Sequence, residues 1–135
     1  MNSAAIRLGL SGCDIGITYF MTRMLGASVA AEYLLTGRFI DASRALALGL
    51  VSRVDAMDVL RSHVEQLASD MLGATPLGLR LTKETLNLAL DAPGLEAVVA
   101  MEDRTQILCS QGEDFLEGLA AFREKRRPRF GRGSA

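Results

Sequence analysis

The clearest apolar pattern in this chain is Met57, Leu60, Val64, Leu67 and Met71, which recur at alternating steps of three and four residues. Such spacing puts five side chains on one face of a helix and predicts an amphipathic helix from Met57 onward. Upstream the pattern is shorter and punctuated by glycine. IGITYFMTRMLG, beginning at Ile15, predicts a short helix stopped at Gly26, and SVAAEYLLTG predicts a second stopped at Gly37. Each glycine is a candidate left-handed C-terminal cap. DASRALALG predicts a third helix, opened by Asp41 as an acidic cap and closed by Gly49. The β-branched run that follows, LVSRV at residues 50–54, predicts one short strand.

Downstream, Thr75 before Pro76 reads as an N-cap followed by proline at the first helical position. PLGLRLTKETLNLALD then alternates Leu with other residues, which taken locally is a strand period. Its length, the cap and the helix formers Lys83 and Glu84 predict a helix, with leucines on two sides because it packs against more than one neighbour. LEAVVAMEDRTQILCS predicts a further helix and EDFLEGLAAFREKRR the last. Acids crowd the start of that last helix (Glu113, Asp114, Glu117) and cations its end (Arg123, Lys125, Arg126), complementing the macrodipole, with Pro128 as the stop. The chain is therefore expected to be mainly α. Its opening, MNSAAIRLGL, has the character of a strand or loop continuing from a longer protein, and a sheet would need strands that this chain does not supply.

With 135 residues, 49% of them hydrophobic and 23% charged, the chain can bury an ordinary core. It has no apolar run long enough to span a bilayer and no basic, apolar and small-residue leader, so a cytoplasmic protein is expected. Cys13 and Cys109 match no metal or redox spacing and are expected as reduced thiols. A net charge of −1 argues against a general nucleic-acid binder. The tail REKRRPRFGR departs from that balance, with Arg123, Lys125, Arg126, Arg127, Arg129 and Arg132 against Glu124 alone. Two readings stay open for it: a solvated basic helix end, or a site for phosphate.

Two titratable groups invite a chemical reading. Asp14 stands between small and apolar residues in GLSGCDIGITYF, where it either caps a helix beginning at Ile15 or does proton chemistry in a pocket. His63 flanks the apolar stripe with no second histidine in the chain, which favours a partly buried structural imidazole.

The order of these segments resembles the second half of the crotonase, or enoyl-CoA hydratase/isomerase, superfamily. The resemblance rests on the glycine-rich turn, the helix ending in a basic residue and Gly, then LTG, I-x-A and GLV-x-x-V, then Pro76 with Lys83 seven residues on. It closes with EDFLEGLAAFREKRRPRF and covers essentially the whole chain. It implies the end of an α/β spiral domain at residues 1–56 and a helical segment at 57–135 that packs protomers into trimers. The implied ligand is an acyl-CoA thioester, held as substrate with no metal or redox cofactor and no nucleic-acid or membrane partner.

The resemblance also distributes roles. The two backbone N–H groups that hold the thioester oxygen belong to the half of the family fold that precedes this segment, so this chain alone is expected to be inactive. The general acid/base glutamate of the hydratases is matched by Ala5, which cannot move a proton. Dienoyl-type isomerases carry an aspartate in the glycine-rich turn, and Asp14 matches it with one residue inserted ahead. At the lip of a dry acyl pocket such an acid would serve as the base. Phe122 and Lys125 match positions near the CoA nucleotide of a neighbouring protomer, the Lys reaching a phosphate. Tyr19 and Phe20 replace a common Gln-Arg pair and would line the acyl tunnel, while Glu32 is expected to be structural. The readings to be separated are an acyl-CoA hydratase or isomerase, a double-bond isomerase using Asp14, and a non-catalytic helical oligomerisation module.

Overall fold

The computed structural model describes residues 2–131. Contacts divide the chain into two compact units, Met1–Leu60 and Arg61–Ala135. Seven α-helices run through the described residues: α1 Ile17–Leu25, α2 Ala27–Thr36, α3 Ala42–Ala47, α4 Met57–Leu72, α5 Pro76–Ala89, α6 Leu95–Ser110 and α7 Glu113–Arg123, with a 3-10 helix at Ala4–Leu8 before them. No helix among these residues is long and apolar enough to cross a membrane.

In the first unit α1 and α2 pack on each other through a reversal made by one residue, Gly26, at φ 81° and ψ 159°. A side chain on that residue would be strained, which is why a glycine ends α1 and opens α2. Met21 from α1, Ala30, Tyr33 and Leu34 from α2, Ile40, and Ala45 from α3 form the buried core. The cap expected of Asp41 is made: its carboxylate accepts the Arg44 N–H at 2.7 Å and the Ser43 hydroxyl at 2.7 Å, and these bonds, the Arg44 amide first, lower its pKa.

The strand expected at residues 50–54 does not form, and no strand occurs among the described residues. The Leu50 N–H donates instead to the Ala45 carbonyl at 2.9 Å, closing α3, and the Leu50 side chain packs on the core. A β-branched run becomes a strand only when a partner strand satisfies its backbone, and none is at hand.

In the second unit Thr75 caps α5 by accepting the Gly78 N–H at 2.9 Å, with Pro76 at the first helical position. Packing joins α5 to α6 and α6 to α7, but only Leu81 and Ala121 are buried there. The second leucine side of α5, opposite the buried Leu81, is not packed as the sequence predicts, since Leu79 and Leu86 lie exposed. α4 has the amphipathic pattern without the burial: Met57, Leu60, Val64, Leu67 and Met71 are 41–84% exposed. Its polar face carries Arg61–Glu65 and Gln66–Asp70 bonds one helical turn apart.

Candidate functional site

The glycine-rich turn is seated on the C-terminal end of α2. Asn2 donates to the Gly37 carbonyl at 3.3 Å, Arg7 Nε to the Thr36 carbonyl at 3.3 Å, and the Ser3 hydroxyl to the Gly12 carbonyl at 2.7 Å. Gly12 is buried against the Leu34 carbonyl, where a Cβ would collide with backbone. The 3-10 helix ends at Gly9 with φ 82°, and Ala5 in its middle brings no titratable group to the turn.

The turn then presents Asp14 to solvent. α1 begins at Ile17, two residues later than the sequence predicts, and its N-cap is Gly16, which makes no side-chain capping bond. The Asp14 carboxylate accepts the N–H of the next residue, Ile15, at 2.8 Å, and the bond to the Ile17 N–H at 2.9 Å goes to its backbone carbonyl. Asp14 is thus not the cap of a helix starting at Ile15. The reason lies at Ile15 itself, whose φ is 41°: the left-handed residue breaks the chain out of helical geometry. A β-branched side chain is rarely found there, and this one is 95% exposed, so no packing holds it. Nothing in the residue pattern signals that conformation. Tyr19 and Phe20 follow on α1, their rings edge to face at 5.2 Å with the Arg23 guanidinium 3.6 Å over Tyr19. Glu32 pairs with Arg38 at 3.6 Å on the surface.

The second candidate site is the end of α7. The helix stops at Arg123, well before Pro128, because Lys125 adopts a left-handed conformation with φ 54°. The Lys125 N–H donates to the Phe122 carbonyl at 3.3 Å and the Arg126 N–H to the Ala121 carbonyl at 3.0 Å. That pair of bonds is a Schellman cap with lysine where glycine is usual. The chain then turns back along α7. Arg126 Nη1 and Nη2 donate to the two Glu117 oxygens at 2.6 and 2.9 Å, and Nε donates to Glu124 at 2.6 Å. Glu117 also accepts the Arg129 N–H at 2.7 Å, Asp114 accepts the Gly131 N–H at 2.9 Å, and the Phe130 ring lies over Gly118.

These bonds divide the basic tail into two classes. The Arg126 side chain, then the Arg129 amide, hold the Glu117 carboxyl at about 2, below its ordinary 4.5. Glu117 and then Glu124 raise the pKa of Arg126 in turn. Arg126 is therefore committed to internal acids, whereas Lys125 is exposed, with no acid paired to its ammonium among the described residues. Phe122, 84% exposed, stands three residues before it on the last turn of α7. Arg132, the sixth cation of the tail, lies outside the described residues. The sequence assigns Glu117 to the macrodipole, yet Asp114 and Glu117, three apart and so on one helix face, hold the tail. That spacing is the signal for it.

Other groups are more ordinary. His63 is half-buried on α4, and Cys13 and Cys109 are free thiols. A cleft of about 510 Å³ opens between the start of α5, the end of α6, the start of α7 and Gly131, and none of Asp14, Phe122 and Lys125 lines it.

The family model for enoyl-CoA hydratase/isomerase matches residues 2–133. The chain belongs to the enoyl-CoA hydratase/isomerase family. It is 37% identical over 129 residues to the "probable enoyl-CoA hydratase EchA12" of Mycobacterium tuberculosis, covering 95% of this chain and 45% of that protein. It is 35% identical over 130 residues to the 2,3-dehydroadipyl-CoA hydratase of Escherichia coli, covering 92% and 51%. A crystal structure of a "probable enoyl-CoA hydratase/isomerase" from Mycobacterium abscessus superposes with a TM-score of 0.86 at 35% identity, covering 96% of this chain and 50% of that one. The enoyl-CoA hydratase of Bacillus anthracis does so with a TM-score of 0.85 at 30% identity, covering 93% and 48%. The chain spans about half the length of the curated relatives it matches and corresponds to the C-terminal part of this crotonase fold. Among the described residues it contributes helices and no strand to that fold.

Proposed function

We propose that this chain supplies the proton-transfer group and the CoA nucleotide contacts of an acyl-CoA enzyme, with Asp14 as the general base next to the thioester. The observation that carries the reading is the freedom of the Asp14 carboxylate from any capping bond to α1, in a turn that Gly12 and its neighbours lock onto α2. Structure so fixed around an exposed acid suits a group that must meet a substrate atom. Ala5 leaves the turn without a second acid. Hydration needs a proton taken from the attacking water and one delivered to the carbon beside the thioester, whereas double-bond isomerisation needs one taken from that carbon and one returned further along the chain. Either reaction therefore requires a group such as Asp14 that moves protons. The enolate oxygen would be held by N–H donors from the half of the relatives' length that this chain does not span, so the 135-residue chain alone is inactive on this reading. Lys125 and Phe122 serve the nucleotide end of CoA, in a trimer whose protomers meet through the apolar faces of α4 and α5. Substrate is the thioester itself, with no metal or redox group in the chemistry.

The experiment joins the preceding half of the Escherichia coli relative to this chain and follows hydration and isomerisation of enoyl-CoA and dienoyl-CoA substrates. Asp14→Asn keeps the bond to the Ile15 N–H, so melting temperature stays put while turnover falls about 10²- to 10⁴-fold, the usual contribution of a positioned base. Unchanged turnover in Asp14→Asn would rule Asp14 out as the base.

A further inference from the structure

Lys125 occupies a backbone conformation that glycine would take without strain, and residues with a Cβ persist there only when their surroundings over-determine them. Three ties do so. The Lys125 and Arg126 amides close the turn on the Phe122 and Ala121 carbonyls, Arg126 forks onto both oxygens of Glu117, and the Arg129 amide reaches the same carboxylate. Because Arg126 is the next residue, anchoring it sets the direction in which the Lys125 side chain leaves the backbone. The Arg fork is planar and rigid, which suits it to fixing a direction. The arrangement thus separates two neighbouring cations: Arg126 is consumed as an anchor, and Lys125 is left exposed without an acid partner among the described residues.

We propose that Glu117 is a positioning residue for phosphate recognition: by clamping Arg126 and the Arg129 amide it holds Lys125 in the left-handed turn, so that its ammonium meets the 3′-phosphate of the CoA nucleotide in a fixed geometry beside Phe122. The inference rests on the reading of Lys125 as a phosphate ligand. Glu117 touches no ligand; it acts through Arg126.

The test is isothermal titration of the 135-residue chain with CoA and with dephospho-CoA, for the wild type, Glu117→Gln and Lys125→Gly. The wild type should prefer CoA by about tenfold, the worth of one charge-assisted contact. Lys125→Gly fits the turn without strain, keeps the fold and erases the preference. Glu117→Gln should lower the preference to less than about threefold while dephospho-CoA affinity stays unchanged, whereas a residue that merely supports the fold would weaken both ligands in proportion. If Glu117→Gln does not fold, Arg126→Lys, which keeps the charge and loses the fork, is read in the same way. A full preference for CoA in the clamp variants, with its loss in Lys125→Gly, overturns the role of Glu117 and leaves Lys125 in place. An equal affinity for the two ligands in the wild type, or a preference that survives Lys125→Gly, overturns the reading of Lys125 and the clamp with it.

Discussion

Gly12 lies so close to the Leu34 carbonyl that no side chain fits between them, and this contact seats the turn bearing Asp14 on α2. The neighbour is backbone, which cannot swing aside as the end of a flexible side chain would. Gly12→Ala is therefore expected to destabilise the first unit by about 1–3 kcal/mol, the usual cost of overpacking a tight site. Urea denaturation followed by circular dichroism measures it. An unshifted midpoint would mean that the turn is not seated on α2.

Ile15 makes the opposite case. Its left-handed φ of 41° costs an L-residue about 1–2 kcal/mol, and at 95% exposure it has little burial to offset that. Asn tolerates the conformation better, so Ile15→Asn is expected to stabilise the chain by up to about 1 kcal/mol. If the strained turn also fixes the neighbouring carboxylate, the joined enzyme should lose turnover as it gains stability. Thermal melts and rate measurements on one preparation separate the two effects; a lowered melting temperature would show that Ile15 makes a stabilising contact.

The tail clasp sets a pH dependence of definite sign. Glu117 has its carboxyl lowered from 4.5 to about 2 by Arg126 and the Arg129 amide. A group whose folded pKa is depressed adds stability that is complete above its unfolded pKa and disappears as pH falls through the folded one. The clasp should accordingly stay closed at neutral pH, weaken below about 4.5 and open near 2. Amide exchange or the NMR shift of the Arg129 N–H follows it directly, and Glu117→Gln should open the clasp at every pH. An Arg129 amide that exchanges equally fast at pH 7 and pH 2, after correction for intrinsic rates, would show that no clasp forms in solution.

The parts of the fold legible in the sequence are those fixed by a few adjacent residues. Gly26 and Gly37 end helices because left-handed or otherwise strained backbone suits glycine, and Asp41 and Thr75 cap helices because a short oxygen-bearing side chain reaches an amide three residues on. What depends on distant partners was not legible. The run at residues 50–54 has strand chemistry and no strand to pair with among the described residues, and the second leucine side of α5, at Leu79 and Leu86, stays exposed. At the candidate sites the obscuring feature is one backbone angle each. Ile15 and Lys125 are residue types that argue against left-handed geometry, yet they decide why Asp14 is no cap and why α7 ends before Pro128. The family resemblance was legible throughout, because it rests on the order of short motifs and not on any one angle.

α4 presents an apolar face to solvent in the single chain. Its five stripe residues, Met57, Leu60, Val64, Leu67 and Met71, are arranged for burial and yet are all exposed in the single chain. Scattered apolar residues on a surface need no explanation, but a contiguous exposed stripe along a helix of Met57–Leu72 is the kind of feature that marks an interface. A second copy of the chain can cover it, since closed symmetric association lets like surfaces bury one another. The chain is expected to self-associate, with weight-average mass rising over a concentration series in light scattering. Val64→Lys with Leu67→Lys puts two charges in the middle of the stripe, where burial would cost several kcal/mol per unpaired ion, so association should fall at least about a hundredfold. Helix content should be unaffected because neither side chain is buried within the monomer. A monodisperse monomer at millimolar concentration, or an association that the double substitution leaves unchanged, would mean that this stripe is not the face through which copies meet.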